Sequence, residues 1–362
     1  MCLADILLAI GVILVQVTAR DIASMDLKKL SFKDTDAMIN YINNAQSSWI
    51  AGKNFPDDIS EDYLKRLSSA PSPLIDRLPK LPVFDDFDDF DDSEVEFGNT
   101  YYRSDPPTEF DARKQWANCP SVSHIYDQGN CGSCWAVAVA SVITDRICIN
   151  TKGAPNDWIS SWEIASCCVE DKCGNGCFGG YASKAFEFYV KHGVVTGGEF
   201  GSNEGCMPYM VKPCSHRVVG KYPDCRSYNN TVLPTCQKQC INPNYKISMD
   251  KDRHFGKRSY EVKVADLKKE LSEKGPVTMW FNVNEDFRLY KSGVYFHVTG
   301  AKVGGHIVRV LGYGTENGIS YWLCANSWNP EWGDKGLFKI KSGSNESGCE
   351  ESLFAAEPKV KT

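Results

Sequence analysis

The sequence predicts an α+β fold, a helical half followed by a β half with a cleft between them, and three observations carry that expectation. After Cys134 the stretch WAVAVASVITDRICI is almost uniformly apolar, the pattern of a helix buried on all sides. Beyond residue 274, GPVTMWFNV, GGHIVRVLGYG, SYWLCANSW and GLFKIK are β-branched and aromatic runs punctuated by glycine, the composition of strands. Helical and strand-like segments fall in separate parts of the body of the chain, as in an α+β domain.

At 362 residues the chain exceeds one typical domain, so a leader or regulatory segment is expected ahead of a core of roughly 200 to 250 residues. Residues 1–19 hold an apolar run from Ile6 to Val15 and then Val17-Thr18-Ala19, the small-residue pattern of a signal-peptidase site; the run is too short to span a bilayer comfortably. No other segment reads as transmembrane. Residues 20–105 form a separate front segment. In it, TDAMINYINNAQSSWIAG spaces Met38, Ile42, Ala45 and Trp49 three and four residues apart, predicting an amphipathic helix opened by a Thr or Asp cap. A second short helix is expected over Ser60 to Leu67. The proline-rich SSAPSPLIDRLPKLP then leads into FDDFDDFDDSEVEF, an exposed, cleavable linker. Its eight carboxylates between Asp85 and Glu96 read as a self-repelling spacer or as a masking strap, and they lack the glycine turn of a calcium loop. The body, residues 106–362, starts near Pro106-Pro107-Thr108.

The net charge of −6 conceals a split, with 10 basic and 18 acidic side chains in residues 20–105 against 30 and 27 in 106–362. Neither part has a basic stripe interleaved with aromatics, so nucleic-acid binding has no support. Sixteen cysteines point to an oxidising route, secreted or lysosomal, with disulfides as the default reading.

The strongest local signal is Gln128-Gly-Asn-Cys131-Gly-Ser-Cys134-Trp135. A cysteine at the first turn of a buried helix sees oriented backbone N–H groups and the positive end of the helix dipole, which favour thiolate over thiol. Amide cleavage also needs a proton carrier. Gly304-Gly305-His306 and, further on, Cys324-Ala-Asn326-Ser-Trp328 supply a histidine and an orienting asparagine on neighbouring strands. His306 lies 172 and Asn326 lies 192 positions after Cys134, beyond the spacing of about 130 to 150 usual for this pattern, so an insertion is expected between them.

On these residues the chain resembles the papain family of cysteine peptidases, and the stretch from Cys206 to Cys240, with PCSHRVVGKYPDC, is similar to the occluding loop of its cathepsin B-like branch. The likeness runs from WIAGKNF and YLKRL through FDARKQW, DRICI, CGNGCFGGY, KSGVYFHVTG and GGHIVRVLG to WGDKGLFKI. It implies a two-lobed α+β fold, a helical lobe and a β-barrel-like lobe with the active site between them, made as a zymogen whose residues 20–105 block the cleft. It implies Cys134 as nucleophile, His306 as its ion-pair partner and proton donor, Asn326 orienting the imidazole under Trp328, and Gln128 with the Cys134 N–H as oxyanion donors. Gly179 and Gly180, with Gly305 across the cleft, would lie along extended substrate backbone, and Ser352 would floor the pocket for the second residue upstream of the cut, favouring apolar side chains over arginine. Phe178 departs from the asparagine common at its position. The expected partners are peptide and protein substrates, the chain's own pro-segment and protein inhibitors of cysteine peptidases; no cofactor and no metal is implied. The resemblance further pairs Cys119 with Cys148, Cys131 with Cys177, Cys167 with Cys236, Cys168 with Cys173, Cys206 with Cys240 and Cys214 with Cys225. With Cys2 leaving in the leader, Cys134, Cys324 and Cys349 are then left free.

Two rival readings differ in class. Cys131-Gly-Ser-Cys134 is also a C-x-x-C motif of thiol–disulfide oxidoreductases, but that role gives His306, Asn326 and Gln128 no task. A silent binding protein on the same scaffold would lack the nucleophile. In the loop, one histidine of the family's adjacent pair remains, His216, expected to pair with Asp127. Arg217 stands at the second, carboxylate-reading position, and the other clasp, an arginine facing an acid in the resembled family, becomes Tyr222 opposite Glu331, which predicts a looser loop.

Overall fold

The computed structural model describes residues 34–73, 105–154, 157–216, 220–227 and 235–360. The leader, the acidic run and Arg217 therefore lie outside the described residues.

The chain opens on α1 (Thr35–Ala45), capped by the Asp34 side chain accepting from Ala37 N–H. Met38 and Ile42 bury the predicted face. Trp49, expected on the same helix, instead begins strand β1 (Trp49–Ala51), because the helix stops at Gln46, whose side-chain oxygen accepts from the N–H groups of Ser48 and Trp49. Next, α2 (Glu61–Leu67) carries a Ser60 cap, acids in its first turn and bases in its last, all favourable to the helix dipole.

The body begins with β2 (Phe110–Asp111) and builds its helical lobe from α3 (Cys134–Asn150), α4 (Ser161–Cys167) and α5 (Ala182–His192). Fifteen of the residues of α3, Cys134 to Cys148, are buried. Trp135, Val139, Ile143, Ile164, Phe186 and Tyr189 form the core of this lobe. The β lobe contains β3 (Phe255–Glu261), β4 (Val277–Asn284), β5 (Tyr290–Tyr295), β6 (Lys302–Glu316), β7 (Ile319–Ala325), β8 (Leu337–Lys341) and β9 (Leu353–Lys359). Among the described residues these form a sheet ordered β1-β5-β8-β7-β6-β4-β9-β3, with β2 pairing β6. The α+β, two-lobed architecture is the one expected.

The front segment is built into that sheet. β1 pairs antiparallel with β5, Trp49 opposite Gly293, and the Trp49 indole donates to the Phe296 carbonyl at 3.0 Å. Met38, Ile42, Trp49, Phe55, Tyr63 and Leu67 join one continuous core with Phe281, Phe287, Trp328 and Trp332 of the β lobe. Burying several large side chains at about 1.5–3 kcal/mol each makes this an integral domain contact. All six disulfides pair as the resemblance implies, and Cys134, Cys324 and Cys349 are free and buried. No helix among the described residues is long and apolar enough to cross a membrane.

Candidate active site

Cys134 is the first residue of α3, at the face where the helical lobe meets β6. His306 lies on β6 opposite Phe281 of β4, and Asn326 directly follows β7, the neighbour of β6 on its other side. The strand pairing thus brings together two residues twenty positions apart: His306 Nε2 and Asn326 Oδ1 are 2.8 Å apart. An amide oxygen only accepts, so Nε2 carries the hydrogen and Nδ1 is left with a free lone pair. Nδ1 makes no hydrogen bond. The Trp328 indole packs on the imidazole at 4.9 Å between centroids, keeping water from the His306–Asn326 bond.

Gln128 is held from the opposite lobe. Its N–H donates to the Ser327 carbonyl at 2.8 Å, and its Oε1 accepts from Ser327 Oγ at 2.7 Å. With Oε1 occupied, the amide nitrogen must point its hydrogens elsewhere. They reach the Cys131 carbonyl at 2.8 Å and, from the front segment, the Leu67 carbonyl at 3.2 Å. The role of Ser327 in aiming this amide was invisible in sequence, since the two residues are 199 positions apart.

From Leu67 the front segment crosses the cleft as a strap. Ser69 bridges Gly305, and Ala70 N–H donates to the Gly305 carbonyl at 3.0 Å. The glycines on both walls make room for it. A Cβ at Gly304 would collide with the Ser68 carbonyl, one at Gly305 with the Ala70 carbonyl and one at Gly179 with the Ser69 carbonyl. Gly180 lies against Trp135, where a side chain would strike the indole. Beyond Ala70, Pro71 and Pro73 reach a cavity lined by Gly180, Ala182, Trp280, Ile307, Ser352 and Phe354. Ser352 is thus placed in the lining of an otherwise largely apolar recess.

Covered by the strap, the Cys134 thiol and the His306 imidazole are both shifted toward their neutral forms. Burial pushes the Cys134 thiol up to about 11, against the pull of N–H groups from Ile307, Trp135 and Ala70. Burial pushes the His306 imidazole down to about 4, opposed by Asn326 and by the nearby Leu67 carbonyl. Closure therefore disfavours the ion pair expected from the sequence, because a low-dielectric lid penalises both charges.

A model of the papain family cysteine protease matches residues 106–357, and a model of the propeptide of the same peptidase family matches residues 35–68. The chain belongs to the papain family of cysteine proteases. It is 40% identical over 332 residues to cathepsin B-like cysteine proteinase 4 of Caenorhabditis elegans, covering 91% of this chain and 93% of that one. It is 43% identical over 251 residues to a cathepsin B-like cysteine proteinase of Schistosoma japonicum, covering 69% and 72%. Among solved structures, procathepsin B S9 from Trypanosoma congolense matches with a TM-score of 0.71 at 32% identity, over 90% of this chain and 99% of that one. The protein is thus a cathepsin B-like cysteine peptidase that carries its own propeptide.

The loop end of this peptidase's cleft differs from expectation. His216 is buried, its Nε2 3.6 Å from Asp127 Oδ1, as expected. Its Nδ1 meets the Tyr63 hydroxyl of the propeptide at 2.8 Å, and Phe55 packs edge-on against the same ring at 5.9 Å. Glu331, expected opposite Tyr222, is taken instead by Ser215 Oγ at 2.5 Å and by the Lys221 N–H. Asn329 adds a bond to the Cys214 carbonyl at 2.7 Å. A loop without an arginine clasp is still fastened, because short hydroxyl and main-chain donors reach a carboxylate that a tyrosine cannot neutralise. Cys214, His216 and Cys225 cluster closely enough to hold a metal, but the two sulfurs are bonded to each other, and the thiolates that would ligate are absent while the disulfide stands.

In the intact zymogen, alkylation of Cys134 by iodoacetamide is expected to stay slow until the pH approaches 11, whereas the enzyme freed of residues 20–105 should react near neutral pH. Equal rates for the two forms at pH 7 would refute the neutral, strap-covered thiol.

Proposed function

We propose that the peptidase is an endopeptidase with additional peptidyl-dipeptidase activity, with Cys134 as nucleophile, His306 as acid and base, Asn326 as the residue positioning the imidazole, and Gln128 as an oxyanion donor. The observation that carries this reading is the Leu67 carbonyl resting on the Gln128 amide, beside a thiol and an imidazole with an open Nδ1. A peptide carbonyl already sits where a scissile one would be polarised.

With the strap gone, water and a vacant cleft restore the charged pair, the thiol proton passing to His306 Nδ1. The thiolate adds to the scissile carbonyl carbon, and the oxyanion takes hydrogen bonds from Gln128 Nε2 and the Cys134 N–H, where losing one donor costs about a hundredfold or more in rate. Collapse breaks the C–N bond as His306 protonates the departing amine. Water, deprotonated by the same imidazole, then hydrolyses the thioester and regenerates the thiol.

Residues 1–19 are read as a leader and residues 20–105 as the reversible inhibitor. The strap meets the occluding-loop end first, through Phe55 and Tyr63, and the Ser352 recess last, through Pro71 and Pro73. A substrate whose upstream residues fill that recess runs the other way, so the strap presents its bonds in the wrong sense for attack. Exchange between the neutral and the charged Cys134–His306 pair moves a proton without taking one from solvent. Acid must therefore act elsewhere. Lys53 bonds Asp36 at 2.9 Å and Asp57 at 2.8 Å, and this lowers the Asp57 carboxyl from its ordinary 3.8. A lowered carboxyl stabilises the folded propeptide above 3.8 and ceases to do so as pH falls through its lowered value. Six disulfides support passage through the secretory route to a lysosomal or extracellular lumen; recovering the cellular protein with residues 1–19 still attached would overturn that destination.

Activation at acid pH followed by an epoxide warhead selective for thiol peptidases should label Cys134, and His306→Ala should abolish the labelling. Labelling elsewhere, or an unaffected His306→Ala variant, would defeat the assignment. In the same activated enzyme, Arg217→Ala should depress dipeptide release from free-carboxylate substrates, since a guanidinium binds carboxylate bidentately; unchanged release would remove Arg217 from the site. A peptide-library profile should favour apolar side chains in the Ser352 recess, and dominance of arginine there would contradict the placement of Ser352.

A further inference from the structure

We propose that Phe178 determines specificity for the substrate residue immediately upstream of the scissile bond, its ring forming the standing wall of that subsite and favouring aromatic side chains. The inference rests on Cys134 being the nucleophile, and it concerns a position the mechanism above leaves unused.

Phe178 sits at the tip of a tightly fastened turn. Cys177 is bonded to Cys131, the Trp135 indole donates to the Gly176 carbonyl at 3.1 Å, and Asn175 N–H donates to the Gly179 carbonyl at 2.8 Å. The turn is laced to the segment leading into the nucleophile: Gly132 N–H donates to the Cys177 carbonyl at 2.9 Å and Gly179 N–H to the Gly132 carbonyl at 3.2 Å, with Gly132 bridging Phe178. Gly132 precedes Cys134 by two residues and follows Cys131, whose carbonyl accepts from the Gln128 amide. The Gly132–Phe178 pair therefore borders the oxyanion position directly.

On this border the backbone has no side chains to offer except one. Added Cβ atoms at Gly132 and Gly179 would run into strap atoms of Arg66 and Ser69, so both glycines keep a floor clear for a peptide. A peptide crossing this floor passes beside the turn that carries Phe178. The strap fills the place with Ser69, whose Oγ donates to the Gly132 carbonyl at 3.3 Å, and leaves the ring 50% exposed, more than Phe200 at 38% or Phe255 at 37%. A scattered exposed phenylalanine needs no explanation. One fixed on a rigid turn at the edge of a glycine floor, next to the oxyanion donors, is placed to contact substrate.

An edge-to-face or offset ring pair favours aromatic over alanine side chains by about two- to tenfold. The test uses the activated enzyme, freed of its propeptide, and paired substrates that differ only in phenylalanine or alanine just upstream of the cut. The kcat/KM ratio for the pair is expected to fall about two- to tenfold in Phe178→Asn and to be retained in Phe178→Tyr. Titrating active sites with the epoxide normalises each variant to correctly folded enzyme and reports separately on the Cys134 reading. A Phe178→Asn ratio equal to that of the unaltered enzyme overturns the proposal, as does an equal loss on both substrates.

Discussion

The two bonds between Gln128 and Ser327 set the register between the lobes, and the site depends on that register. Gln128 belongs to the segment entering α3, six residues before Cys134; Ser327 directly follows Asn326 in the β lobe. A main-chain bond and a side-chain bond between them, at 2.8 and 2.7 Å, lock the approach to the helix against the exit from β7. Cys134, His306 and Gln128 are therefore positioned by one crossing. Buried polar pairs of this kind stabilise only when every partner is satisfied, and here the Gln128 amide spends all its polar atoms on the arrangement.

Closure of the cleft adds a second level of control. The strap excludes substrate, and it also changes the charge state of what it covers. Removing water from a thiol and an imidazole raises the first and lowers the second, so closure disfavours the charged forms of Cys134 and His306 as well as covering them. The same residues that fold the propeptide, Met38, Ile42, Trp49 and Leu67, extend the core of the β lobe. Inhibition and folding therefore draw on one set of contacts.

Much of this was legible in the sequence. The run after Cys134 and the later β-rich runs fixed the fold class, because uniform apolarity and glycine-punctuated strand composition are local signals. The Cys134, His306, Asn326 and Gln128 constellation was likewise carried by short motifs. What stayed hidden is long-range. Trp49 matched a helical spacing, yet the Gln46 side chain ends α1 and frees it for pairing with β5. Ser215 replaces an arginine clasp by reaching Glu331, and Tyr63 finds His216 across 153 positions; neither leaves a periodicity or a spacing to read.

The three unpaired thiols among the described residues are all buried in the closed form. Cys324 and Cys349 are pushed further from ionisation by their surroundings. While six disulfides are being formed, a reactive thiolate would be the most damaging group the chain could expose, since thiolates attack disulfide sulfurs and scramble pairings. With Cys134 buried and its thiol pushed up in the closed form, none of the described free thiols lies open to exchange with the six disulfides.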